Sequence, residues 1–343
     1  MNVTHEEGLG VVGDAPDTSP RRSAANPVAG LFKQLGSRYA VVGVWIAMIV
    51  VYSIDEPGQF FTTSAFQTIF GSQYNLVFLT MALLCTIIVG EFVDLSVPSV
   101  FGFAATILTV LTVNHGWNVW EATVVAVIGA MLVGAVNGYL IVNLGVNTIV
   151  VTLGMSTLLL GVSLWMSDMN TISGLPSSFS KIATTELGGL PISFYYGVLI
   201  VGVFAYLLGC TPLGRHMRFV GANREVSRLA GIRVNRIRFG SFVAAGAFSG
   251  VGAAVSVATI GSFNPSSSAT LLLPVFASVF LGTAIVEPGR FNPIGTLIGI
   301  YFLATGILGL ELLNLQEWIS NVFYGGVLVI AVTISTLLRK RTS

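Results

Sequence analysis

Ten runs of apolar residues, each 16 to 24 long, recur down this chain, and no other feature limits its fold so severely. A hydrocarbon layer about 30 Å thick is crossed by about 20 residues of helix. Backbone polar groups have no water partner there, so only helices or closed barrels can span it. Barrel strands alternate at period two, and these runs do not. The charge content agrees: 9% of the 343 residues are charged and 54% are hydrophobic, against about 25% charged in soluble chains. The fold class expected is therefore an all-α polytopic membrane protein of about ten transmembrane helices.

The spans read 39–54, 68–90, 96–114, 121–143, 148–166, 195–211, 238–261, 270–286, 291–312 and 318–337. Threaded alternately from an inside N-terminus, they put Arg21, Arg22, Lys33, Arg38, the seven arginines from Arg215 to Arg238, Arg290 and Arg339-Lys340-Arg341 on one side. That is fifteen of the sixteen basic residues; only Lys181 falls outside, in the long loop near 167–194. Cationic loops resist translocation, so the asymmetry predicts N-in, C-in topology. The domain organisation expected is a disordered cytoplasmic tail over 1–38, a membrane domain over 39–337 and a basic tail over 338–343.

Several function classes lack their residues. The tail's Gly8-Leu9-Gly10-Val11-Val12-Gly13 has dinucleotide-fingerprint spacing but follows no strand and opens no helix. The chain has no Gly-x-x-x-x-Gly-Lys-Ser/Thr, so it is expected to bind no cofactor and to draw any ATP and Mg chemistry from a partner. His5, His115 and His216 lie in the tail and on opposite sides of the membrane, which leaves no catalytic or metal-ligand cluster to assemble. Cys85 and Cys210 fall inside apolar runs and read as small core residues. No basic soluble face with aromatics suggests nucleic acid. A proton- or sodium-driven transporter usually keeps ionisable residues at mid-membrane, and these span centres have none.

The inner loop from Thr211 to about 237 is too long for a simple hairpin and carries helix signals. Asn223 is an N-cap, Glu225 complements the positive helix end, and Gly231 suits a left-handed C-cap. Between them Val226, Leu229 and Ala230 form an apolar stripe with Arg224 and Arg228 beside it. Two helical turns are unstable alone in water, so that stripe must fold back on the membrane domain or enter a groove of a soluble partner.

The loop, with Gly214-Arg215, Gly221-Ala222-Asn223 and Ala230-Gly231-Ile232, resembles the coupling-helix region of permease subunits in bacterial ATP-binding-cassette importers of the ribose, xylose and galactose type. Asp94-Leu95-Ser96-Val97, Asn137-Gly138, Val151-Thr152-Leu153-Gly154 and Gly295-Thr296 follow the family's order, and the likeness runs from about 70 to 337. Pro98 stands where the family has glycine, and the glycine-rich turn before Gly295 is reduced to 282–290. The resemblance implies a permease that forms the translocation pathway for a monosaccharide or related small polar solute. It also implies cytoplasmic ATPase subunits on the loop 212–237, a second permease copy or sibling, and an extracytoplasmic sugar-binding protein. Related architectures carry branched-chain amino acids or nucleosides, which are the alternative cargoes.

On that basis Gly214, Arg215, Gly221, Asn223, Glu225, Val226, Arg228, Leu229 and Gly231 are expected to serve ATPase coupling. Glu91, Asp94 and Ser96 lie at an inner turn, where Asp94 reads either as a helix-start residue or as a gate or ATPase contact. Asn137, Asn143 and Thr152 are polar groups in or near spans that need hydrogen-bond partners, from neighbouring helices or from sugar hydroxyls in a wet pathway. Small-xxx-small pairs at Gly134/Gly138, Gly246/Gly250 and Gly295/Gly299 predict close helix packing.

Overall fold

A computed structural model describes residues 27–55, 58–313, 315–316 and 318–342, and the side chains of 41–336 within them. The glycine-rich tail motif, His5, Arg21 and Arg22 lie outside these residues. Contacts divide the chain into two units, Met1–Gly36 and Ser37–Ser343. In the first, residues 27–36 are helical, the start of α1 (Pro27–Asp55). Residues 27–38, read from the sequence as tail, thus belong to a helix.

Nine helices among the described residues are long and apolar enough to cross a membrane, and the first expected span appears as the shorter apolar stretch Val41–Asp55. The second span is built from α2 (Thr63–Phe66), a wide π turn (Gln67–Gly71) and α3 (Tyr74–Ile88). The next are α4 (Val97–Thr109), α5 (Val119–Gly138) and α6 (Thr148–Met166); π turns at Val110–Asn114 and Tyr139–Asn143 extend α4 and α5. Outside follow α7 (Ser177–Thr184) and two-residue strands β1 (Ile172–Ser173), β2 (Glu186–Leu187) and β3 (Leu190–Pro191). α8 (Ile192–Cys210) returns inward to α9 (Pro212–Ala222) and α10 (Arg224–Leu229). The remainder is α11 (Val234–Ile260), β4 (Ser262–Phe263), a 3-10 turn (Pro265–Leu271) running into α12 (Leu272–Gly282), α13 (Pro293–Leu312) and α14 (Trp318–Thr342). The eighth span thus starts and ends a few residues earlier than expected; its early start follows from Asn264, whose Oδ1 caps the 3-10 turn by accepting from the amide of Ser266.

α3 is buried on nearly every side and forms the centre of the bundle, with Leu79, Met81 and Leu83 sealed from solvent. A helix apolar all round is stable only inside such a shell. α11 crosses α5, α3 and α4. The crossing with α5 depends on two missing side chains: a Cβ at Gly246 would lie 2.3 Å from the Ala130 carbonyl oxygen, and one at Gly134 2.3 Å from that of Phe242. Gly295 and Gly299 likewise press on the backbone of α12. Cys85 is buried, but Cys210, the last residue of α8, is exposed rather than in the core. The reason is position: the span ends there, and the chain turns away into α9.

Loop-to-loop contacts agree with the alternating threading. On the outer side β1 pairs with β4, Gln67 donates to the carbonyl of Gly189, and Trp120 meets Phe179 edge-on at 5.5 Å. On the inner side Arg224 and Thr148 both reach Glu91, and Arg218 lies 3.9 Å from Glu287. None of these contacts joins an outer loop to an inner one.

Candidate functional site

The inner loop is two helices, not the single one expected. Thr211 caps the first, its Oγ1 accepting from the Gly214 amide at 3.3 Å, and Pro212 occupies the first helical turn, where its missing N–H costs nothing. α9 buries Gly214, Met217 and Val220 and exposes Leu213, Arg215 and Phe219. A Cβ on Gly221 would stand 2.0 Å from the Ile88 carbonyl oxygen, so glycine alone allows α9 to lie this close to the end of α3.

α10 has the caps expected of it. Asn223 Oδ1 accepts from the amides of Glu225 and Val226 at 3.0 and 3.1 Å, and Arg228 pairs with Glu225 at 3.2 Å. Gly231 adopts φ 77°, and the Ile232 amide donates back to the Ser227 carbonyl at 3.0 Å, a Schellman closure. Ser227 is the buried residue of this helix, while Val226 is 59% and Leu229 89% exposed. The apolar stripe therefore does not fold back on this chain's membrane domain; caps and the Arg224 side chain hold the helix.

Arg224 leads to a cluster that the sequence reading missed. Its Nη2 donates to the Gly90 carbonyl at 3.1 Å and to Glu91 Oε1 at 2.8 Å. Arg238 Nε donates to the same oxygen at 2.7 Å, and Thr148 Oγ1 donates to Glu91 Oε2 at 2.7 Å. One nearly buried carboxylate thus ties the end of α3 to α10, α11 and α6. The signal that could have found it is charge: Glu91 is an acid in an inner turn facing the most basic loop of the chain.

Beyond Glu91 the link 89–96 turns into the bundle. Ser96 donates from Oγ to Asp94 Oδ1 at 2.6 Å and accepts from Asn137 Nδ2 at 2.9 Å. The Ser96 amide also donates to Asp94 Oδ1, at 3.1 Å, which closes the turn just ahead of α4, whose N-cap is Ser96. Burial pushes the Asp94 carboxyl above the ordinary carboxylate range; the two Ser96 donors lower it and the nearby Glu91 charge raises it. Asn137 is 1% and Thr152 0% exposed, and Thr152 Oγ1 approaches the Val93 carbonyl at 3.4 Å. These two candidates come together with Asp94 and Ser96. Asn143 does not: it ends its π turn exposed at the inner surface. Asn137 Oδ1 and Ser249 Oγ face a cavity of about 10 Å³ beside Asp94 without hydrogen-bond partners.

With this geometry in view, the sequence profile of the family described as "Branched-chain amino acid transport system / permease component" matches residues 66–332. The chain belongs to this family of permeases. It is 30% identical over 305 residues to the autoinducer 2 import system permease protein LsrD of Klebsiella pneumoniae, covering 85% of this chain and 89% of that one. It is 26% identical to the L-arabinose ABC transporter permease protein AraH of Azospirillum brasilense, over 94% and 96% of the two chains. With the D-allose transport system permease protein AlsC of Escherichia coli K12 it shares 24%, over 90% and 94%. No solved structure matches the permease.

The permease is thus a multi-pass protein of the bacterial inner membrane and a transport component rather than an enzyme; ATP hydrolysis resides in separate subunits. Systems of this kind pair it with an ATPase and a substrate-binding protein.

Proposed function

We propose that residues 39–337 form the translocation pathway for a monosaccharide or related small polar solute, and that the loop 212–237 is the arm through which ATPase subunits drive it. The outward stripe of α10 carries this reading: Val226 and Leu229 are exposed on a helix that caps and an arginine clamp already hold in place. A soluble groove closing on that stripe would bury it, and the Glu91 cluster would pass the displacement to α3, α6 and α11 together. Asn223, Glu225, Arg228 and Gly231 fix the helix, Gly214 and Gly221 let its neighbour α9 dock, and Arg215 supplies charge on the cytoplasmic face. ATP and Mg act in the partner, and two permeases, identical or paired with a sibling, enclose the path below an extracytoplasmic sugar-binding protein.

The sugar cargo is supported by the relatives named for L-arabinose and D-allose, and by the polar, uncharged character of Asn137 and Thr152. The family description favours a second cargo, branched-chain amino acids. Competition decides between them: excess arabinose or allose is expected to suppress uptake and excess leucine to leave it unchanged.

Leu229→Asp tests the coupling role. We expect the protein to insert normally, uptake to stop and the ATPase no longer to co-purify. Uptake at the wild-type rate would remove α10 from the mechanism.

A further inference from the structure

A groove of about 480 Å³ opens on the inner side between α9, the end of α3 and the turn before α13. Its walls combine Ile88, Phe219 and Phe291 with Arg215, Arg218 and Arg290. Among the described residues Glu287, 3.9 Å from Arg218, is the one carboxylate paired with these arginines, so three positive charges face one negative. Among the described residues, Arg215 and Arg290 have no ion-pair partner, and both are exposed.

Depth decides what could fill it. α3 is the last part of a span ending at Ile88 and α13 opens the span beginning at Pro293, so the groove lies at the level of the inner headgroups. α9 alternates exposed Leu213 and Phe219 with Arg215 and Arg218, the composition of a helix lying in the interface. Basic pockets between transmembrane helices on the cytoplasmic side suit anionic headgroups, and apolar walls beside them suit an acyl chain. The stripe offered to the ATPase, Val226 and Leu229, lines no part of this groove.

We propose that the groove seats one anionic phospholipid of the inner leaflet, its phosphate on Arg215 and Arg290 and a chain along Ile88, Phe219 and Phe291. The lipid would tie α9 to the start of α13 and so fix the base of the arm that carries α10. Its binding does not depend on α10 being the coupling helix, so the outcome with Leu229→Asp leaves it intact.

The test is native mass spectrometry of the full-length permease released from nanodiscs of phosphatidylcholine mixed with phosphatidylglycerol. We expect one phosphatidylglycerol retained in preference to phosphatidylcholine. The double variant R215A/R290A should lose it by roughly thirtyfold, taking each arginine at the value of a basic residue beside an anionic surface. R233A/R236A removes two arginines of the same inner face outside the groove and should retain the lipid. No preference for phosphatidylglycerol, or equal loss in both double variants, would overturn the proposal, as would inorganic phosphate displacing the lipid at equal concentration. A separate arm avoids the arginine changes: a photoreactive benzoylphenylalanine at Phe219 should label lipid in the assembled transporter. Labelling of the ATPase instead would assign the groove to protein and also overturn the proposal.

Discussion

Arg224 donates from Nη2 to Glu91 Oε1 at 2.8 Å, across 133 positions of chain, and shares that oxygen with Arg238. The two arginines are not equivalent. Arg238 is 12% exposed at its side chain and Arg224 39%, while Glu91 is 5% exposed. Water can replace Glu91 for Arg224 but hardly for Arg238.

Removing the carboxylate should therefore cost more than removing the outer arginine. Glu91→Gln leaves a nearly buried guanidinium uncompensated and is expected to destabilise by about 3–5 kcal/mol. Arg224→Ala, on the wetter side, should cost about 1 kcal/mol or less. Thermal unfolding of the purified permease in detergent checks both values. If Arg224→Ala were as damaging as Glu91→Gln, the cluster would not be organised around Glu91.

Gly221 tests the mechanical route from the other side. Ala at this position would put a methyl 2.0 Å from the Ile88 carbonyl oxygen, a backbone atom that no rotamer change can move aside. α9 must then lift from α3, at a cost of about 1–3 kcal/mol. Since Arg224 follows α9 directly, its reach to Glu91 lengthens too. We expect Gly221→Ala to reduce uptake sharply while the protein still inserts, measured as solute accumulation against immunoblotted membrane protein. Normal uptake would mean that this contact transmits nothing.

How these features stood in the sequence differs with their range. The spans, the Asn223 cap and the Gly231 turn were legible, because hydrophobic run length and capping chemistry are local properties. α9 was not separated from its loop: Gly214 and Gly221 entered only as marks of the family resemblance, whereas both are sites where a helix presses on another backbone. Glu91 was noticed only as an acid in an inner turn, since its partners Thr148, Arg224 and Arg238 come from distant elements. Asn137 was open between pathway and packing; its hydrogen bond to Ser96 joins α5 to the buried link, a contact no spacing rule could give.

Asp94 gives a pH prediction. Its carboxyl is pushed up by burial, so the folded protein holds this proton at pH values where the unfolded chain has released it. Between the ordinary aspartate value and the raised one, folding binds more protons than unfolding does, and stability falls as pH rises through that window. Below the ordinary value both states are protonated and the effect vanishes. Asp94→Asn keeps an acceptor for Ser96 without a charge, so it should flatten the pH dependence of the unfolding temperature. A slope unchanged in Asp94→Asn would show that another group sets it.

α11 supplies a pair of glycines for a controlled comparison of packing. Gly246 and Gly240 share the same helix, but a Cβ at Gly246 would meet the Ala130 carbonyl oxygen at 2.3 Å, whereas one at Gly240 would meet nothing within 4 Å. Helices in lipid gain little from apolar burial against each other, so close approach at small residues decides whether α5 and α11 associate. Gly246→Ala forces the pair apart along a crossing that Gly134 completes from the other side, and should cost about 1–3 kcal/mol. Gly240→Ala adds a methyl to open space and should leave stability unchanged or slightly raised, as alanine is the better helix former. The two variants differ only in which neighbour the methyl meets. Equal unfolding temperatures for them would rule out the α5–α11 crossing as a determinant of the bundle.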